Sequence, residues 1–227
     1  MLPFARMVQY GNEVLHRTIL DIDFSAASIG STLVQDRSSN HIQFLLRLGT
    51  VGVVEYNNEI QSNVYNCSNS VGFMRTVDPI MGTALDFSNY DAFRIQYRMK
   101  CNSTALQVFF ETGGYNSRRI YGVGNTFNQY SGSYNQLFID WGQYARCLPN
   151  WSNELKWDTI TIDFKKGLSI VMTSELYGTA EFPWYELSSN SSQYFSLFGS
   201  YIEGDNGLPA IPFTGLVQYL KITEIPR

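Results

Sequence analysis

The sequence predicts an all-β chain, folded as a jelly-roll-like antiparallel β-sandwich with an extended N-terminal arm. Three observations predict it. Apolar and polar residues alternate at period two in segment after segment, which puts one face of a strand on a core and the other in water. Aromatic residues make up 15% of the chain and charged residues only 16%, against a typical quarter charged. No window carries a sustained helical stripe with caps at both ends.

Residues 1–17 read as the arm. Leu2, Phe4, Met7, Val8 and Tyr10 are apolar and have no evident partner strand in the same domain, so a neighbouring subunit is the expected partner. Pro3 suits an extended start, because it disfavours helix at Leu2. Residues 18–227 read as one sandwich domain, a length that all-β folds reach as a single unit. Its first strands are expected at 18–24, 42–48 and 51–56. Residues 92–99 alternate most clearly, with Phe93, Ile95, Tyr97 and Met99 on one face and Arg94, Gln96 and Arg98 on the other. The stretch 100–104, with its polar Asn102, Ser103 and Thr104, then leads to a second run at 106–110, so 92–111 is expected to be a hairpin. A second hairpin is expected from 159–164 and 168–172, joined through Lys165, Lys166 and Gly167. Runs at 194–199 and 215–222 complete at least eight strand candidates, enough for two packed sheets. Short helical turns are allowed near 25–33 and 151–155.

Residues 113–134 break the pattern. Glycines alternate there with Tyr, Asn, Ser and Arg, the residue types of adaptable recognition surfaces. The segment reads equally as a meandering edge and as a binding loop. Its candidate contact residues are Tyr115, Arg118, Arg119, Tyr121, Asn125 and Tyr130, with Trp141 just beyond. Exposed aromatic rings can stack on the apolar faces of sugars while Asn and Arg meet the hydroxyls. Trp157, directly before a strand, is expected in the core, whereas Trp141 and Trp151 are open to a surface role.

Composition excludes several classes. The net charge is −4, and the densest basic cluster is Arg118-Arg119, too little to neutralise a phosphate backbone, so nucleic acid is not an expected partner. No apolar run of about 18 residues exists, so no membrane insertion as a helix is expected. The first ten residues lack an apolar signal-peptide core, and synthesis in the cytosol without export is expected. Cys67, Cys101 and Cys147 are odd in number and widely spaced, which reads as reduced thiols. With two histidines, His16 and His41, and no paired cysteine motif, no zinc site and no cofactor are expected. Asp21 and Asp23, on one side of a strand, could at most join a structural Ca²⁺ site.

Catalytic motifs are missing: there is no nucleophile elbow, phosphate loop or zinc-protease helix motif. A glycan hydrolase would need two carboxyls across a cleft. Glu111, Asp140 and Asp163 are the candidates, but any sandwich with 20 acidic residues would supply such a set. The chain is therefore read as not an enzyme.

Two resemblances add to this. Residues 85–95, 157–164 and 213–222 resemble strand phrases of jelly-roll carbohydrate-binding modules, which implies the fold and says little about a ligand. Residues 2–12, LPFARMVQYGN, are similar to openings of tailed-bacteriophage virion proteins. That resemblance implies a structural or decoration role in the tail, neck or capsid, a virion location, and other virion proteins or further copies of itself as partners. The leading expectation is the virion component, and the alternative is a module that binds a host surface glycan.

Overall fold

Alternation is strictest in the centre of the chain, and there the fold is simplest to derive. The computed structural model describes residues 17–102, 108–112, 120–122, 138–141, 144–147, 155–184, 194–199 and 212–226. Among these it places β1 (Thr18–Asp23), β2 (Phe44–Leu48), β3 (Val53–Asn57), β4 (Ser62–Asn66), β5 (Phe73–Thr76), β6 (Ala92–Cys101), β7 (Phe110–Thr112) and β8 (Ile120–Gly122). They are followed by β9 (Phe138–Trp141), β10 (Tyr144–Cys147), β11 (Asp158–Lys165), β12 (Ser169–Ser174), β13 (Gly178–Pro183), β14 (Phe195–Leu197) and β15 (Gly215–Glu224). One 3-10 turn, Phe87–Asn89, is capped by the Asp86 side chain, which accepts from the Ser88 N–H.

The strands form an antiparallel two-sheet sandwich, as the alternation predicts. The larger sheet runs β13-β12-β11-β6-β15-β4-β3, with β1 also pairing with β15, and the smaller runs β2-β5-β14-β7-β8. β9 and β10 make a separate hairpin. In the larger sheet, Phe93, Ile95 and Tyr97 stand opposite Phe164, Ile162 and Ile160, and all six are fully buried. The aromatic excess is spent between the sheets. Phe93 stacks on Phe164 at 4.5 Å and on Phe87 at 4.7 Å. Further along, Phe24 stacks on Tyr65 and Tyr65 on Phe198. From the smaller sheet, Phe110 packs edge-on against Tyr97 and lies parallel to Phe195.

Several expectations change. Residues 92–111 are not a hairpin: β6 pairs with β11 and β15, whereas β7 lies in the other sheet beside β14 and β8. The chain crosses between layers there, and Phe109 and Phe110 are both drawn into the core. The 158–174 hairpin is as expected, turning at Gly167, whose φ of 71° suits glycine. The 25–33 segment is not helical. It forms isolated turns held to β3 by Gly30 N–H to Val54 O and Val54 N–H to Ser31 O. The closing strand does not alternate throughout. A bulge at Gln218 resets the register between Val217 and Tyr219, which is how Val217, Leu220 and Ile222 all reach the core. Gly215 is required by close approach, since a Cβ there would meet Lys100 O at 2.5 Å.

Trp157 is buried as expected, but in a small satellite cluster with Val64 and Leu216. Arg98 lies 5.9 Å from its ring centroid. The buried Asp36 carboxylate accepts from Asp21 N–H, Ser38 N–H, Ile42 N–H and the Ser38 hydroxyl. It ties β1 to the loop that delivers β2.

Candidate functional site

The smaller sheet presents a built surface on the side away from the core. Phe110, Phe195, Leu197 and Met74 face the core, so the residues between them in each strand face outward. The register aligns those outward positions into one row across four strands, Leu45, Arg75, Ser196 and Glu111, and β8 continues the sheet with Tyr121 in register with Glu111. Tyr194 precedes β14 by one residue, on the outward phase, and the Arg75 guanidinium lies over its ring at 3.8 Å from the centroid.

The row divides into two parts. Toward β2 it is open: Leu45 is 47% exposed and Val77, just past the end of β5, is 40% exposed. Arg75 and Tyr194 are half-buried. Toward β7 it is covered: Ser196 is 2% exposed and Glu111 is fully buried, although both sit on the outward face. The Arg75–Tyr194 pair therefore stands at the step between an open apolar ledge and a covered polar row. A planar cation fixed over an aromatic ring keeps a fork of N–H donors at a set height above an apolar surface. Such a surface can take a ligand that offers hydroxyl oxygens on one side and C–H groups on the other.

The binding residues read from the sequence meet this surface only in part. Tyr121 lies in β8, opposite Glu111. Trp141 ends β9 opposite Tyr144, and β9 runs beside β8. Tyr115, Arg118, Arg119, Asn125 and Tyr130 lie outside the described residues, as do Trp151, His16 and the arm residues Leu2, Phe4, Met7, Val8 and Tyr10. The 113–134 segment is not wholly a loop, because β8 inside it pairs with β7. Sequence reading missed Arg75 and Tyr194 altogether. Each is an isolated residue in a short segment, and no local pattern marks the pairing that brings them together.

The carboxylates do not assemble as a catalytic pair. Glu111 lies on the outward face of the smaller sheet. Asp163 lies on the outward face of the larger one, where Arg94 grips it with both Nε and Nη2 at 2.6 and 2.7 Å. The whole core separates them, so they cannot flank one bond. That ion pair also raises the Arg94 pKa, chiefly through its hydrogen bonds to Asp163. Asp140 lies in β9 opposite Ala145. Nor do Asp21 and Asp23 form an oxygen cage. Asp23 is taken by Arg37 at 3.0 Å and by the Ser25 N–H at 2.8 Å, and among the described residues no group of three or more metal-ligating side chains occurs.

The two described thiols are poor nucleophiles. Burial pushes Cys67 well above its ordinary range and Cys101 up to about 12, with Asp158 adding to the latter. His41 is exposed, in a left-handed turn at φ 49°. Among the described residues no helix is long and apolar enough to cross a membrane.

No family model and no curated protein matches the sequence. Solved structures do match the fold. Domain 4 of an extracellular arabinanase from Geobacillus stearothermophilus, solved in complex with arabinotriose, superposes with a TM-score of 0.62 at 11% identity. The match covers 92% of this chain and 93% of that one. The binding domain of botulinum neurotoxin DC, solved with rat synaptotagmin II, gives 0.59 at 12% identity, over 92% of this chain and 49% of that one. A botulinum neurotoxin type C structure, whose cell entry depends on two ganglioside molecules, gives 0.59 at 12% identity, again over 92% and 49%. At these identities the likeness establishes the lectin-like, jelly-roll-type sandwich.

Proposed function

We propose that this chain is a non-catalytic carbohydrate-binding module that takes a glycan on the outward face of its five-stranded sheet. The Arg75–Tyr194 pair carries the reading. It sets a cation over an aromatic ring beside the apolar ledge of Leu45 and Val77, and Ser196 and Glu111 lie buried in the same row. The arabinotriose complex of the arabinanase domain, a full-length match in fold, supports the ligand class. The separation of Glu111 from Asp163 onto opposite sheets supports binding without hydrolysis.

A glycan array that includes arabino-oligosaccharides and ganglioside headgroups tests the reading. The intact chain should retain a subset of these. Arg75→Ala and Tyr194→Ala should each weaken the affinity at least tenfold, about 1.4 kcal/mol, while Lys221→Ala, on the other sheet, should leave it unchanged. Binding to no glycan, or equal binding by all three variants, would place the ligand elsewhere.

The N-terminal phrase 2–12 favours a second reading, in which the module is a component of a phage particle. It predicts that the chain sediments with purified virions at fixed stoichiometry. Absence from particles in infected cells that produce the protein would remove this reading and leave the glycan site untouched.

A further inference from the structure

We infer, resting on the glycan reading above, that the groove at the head of β2 is a second sugar subsite of the same face. The ligand is then a neutral oligosaccharide of two or more units, which runs from the Arg75–Tyr194 pair across Val77 into the groove.

Register makes the groove continuous with the first row. Leu45 and Arg75 are paired, and two residues away on each segment, on the same outward phase, stand Gln43 and Val77. The pairing holds past the strand ends, because the Val77 N–H donates to Gln43 O at 3.1 Å. Rows two residues apart lie ~7 Å from each other. Gln43 and Val77 line a groove of about 460 Å³ together with Arg17, His41, Ile42 and Asp78 among others. The β14–β5 register, carried two residues past Ser196 and Arg75, sets Tyr194 beside Val77. Hydrogen bonds fasten that corner: the Phe195 N–H donates to Thr76 Oγ1 at 3.3 Å, and the Thr76 hydroxyl donates to Asp78 O at 2.7 Å.

Both walls of the groove are held by buried carboxylates. On one side Asp36 accepts from the Ser38 and Ile42 N–H groups, and the Asn40 amide donates to the Thr18 and Ile19 carbonyls. Between these fixed points His41 is exposed at φ 49°, a left-handed conformation that costs a non-glycine residue energy and persists where its surroundings impose it. On the other side Asp86 accepts from the Gly82 N–H, the Thr83 hydroxyl donates to Ile80 O, and the Tyr90 hydroxyl donates to Ala84 O. Walls fixed in advance lower the ordering cost of binding. The lining suits a sugar ring. Ile42, Val77 and Ala84 offer apolar surface to C–H groups. The side chains of His41, Gln43 and Asp78 make no hydrogen bond or ion pair among the described residues, so donors and acceptors both remain for hydroxyls. One cation, Arg17, and one anion, Asp78, leave the groove without net sign, which favours an uncharged ligand over an acidic one.

Titration calorimetry of the full chain with arabinotriose, xylotriose and cellotriose, each beside its monosaccharide, tests this. At least one trisaccharide should bind ten times or more tighter than its monosaccharide. Gln43→Ala/Asp78→Ala should weaken that trisaccharide at least tenfold while the melting temperature keeps its wild-type value, since both side chains are exposed. Arg75→Ala should weaken it as well. Wild-type affinity in the double variant beside a loss in Arg75→Ala would overturn the second subsite and leave the first reading standing. So would equal affinity for trisaccharide and monosaccharide, or binding of acidic headgroups alone on the array. Wild-type affinity in Arg75→Ala, or no glycan bound at all, would overturn both.

Discussion

Phe93→Ala should cost about 3–5 kcal/mol of unfolding free energy, in the range for deleting a buried phenylalanine. Phe93 is the centre of a ring stack, with Phe87 at 4.7 Å, Phe164 at 4.5 Å and Tyr90 edge-on at 6.4 Å. It is fully buried. The truncation would leave three aromatic faces without a partner in a core that cannot collapse around the gap, because β6 is clamped between β11 and β15. Domains of this kind are stable by roughly 5–15 kcal/mol in total, so the variant should unfold at markedly lower urea concentration. Arg94→Ala, one residue along on the wet face, removes an exposed ion pair worth ~0–1 kcal/mol and serves as the contrast. A Phe93→Ala protein within about 1 kcal/mol of wild type would mean that this stack does not hold the sandwich together.

Raising the pH above about 9 should destabilise the protein. Burial holds the Cys101 thiol up to about 12 from an ordinary 9.0, and Cys67 and Tyr97 are also pushed well up by burial. A group whose folded pKa is raised keeps its proton in the native state and gives it up on unfolding. Its contribution to stability is therefore whole below pH 9 and is lost progressively as pH climbs from about 9 to about 12. The melting temperature should stay level to about pH 9 and then fall, and Cys101→Ala should fall less steeply over the same window. A melting temperature unchanged at pH 11 would show that these groups are not shut off from water.

Parts of this fold could be read from the chain because their causes are local. In β6 at 93–99 and in β11 at 160–164 every second residue is apolar, and each of those at 93, 95, 97, 160, 162 and 164 is fully buried. The 158–174 hairpin closes on its own neighbours through a glycine turn. β4 and β5 escaped notice for the opposite reason. Val64 and Tyr65 are adjacent and both buried, because the satellite cluster with Trp157 and Leu216 covers the outer side of the sheet there. Alternation fails as a signal wherever both faces of a strand are covered. The 92–111 hairpin was a reasonable expectation from spacing, yet pairing across the sandwich, not proximity in sequence, decides where β7 goes.

The candidate site divides in the same way. Tyr121 could be singled out because a glycine- and tyrosine-rich run is a visible anomaly of composition. Arg75, Tyr194 and Ser196 could not, since nothing near them in sequence differs from an ordinary short strand, and Glu111 could be named only as one carboxylate among 20 acidic residues. By itself the sequence determined the strand-dominated fold class, the central core strands and the lack of catalytic motifs, all of which follow from residue type and short-range period. The tertiary structure alone decided which strands became neighbours, which face of the smaller sheet gained an arginine over a tyrosine, and on which sides of the core the carboxylates fell. Those outcomes depend on register between segments far apart in the chain, and a shift of one residue would turn every one of these side chains to the other face.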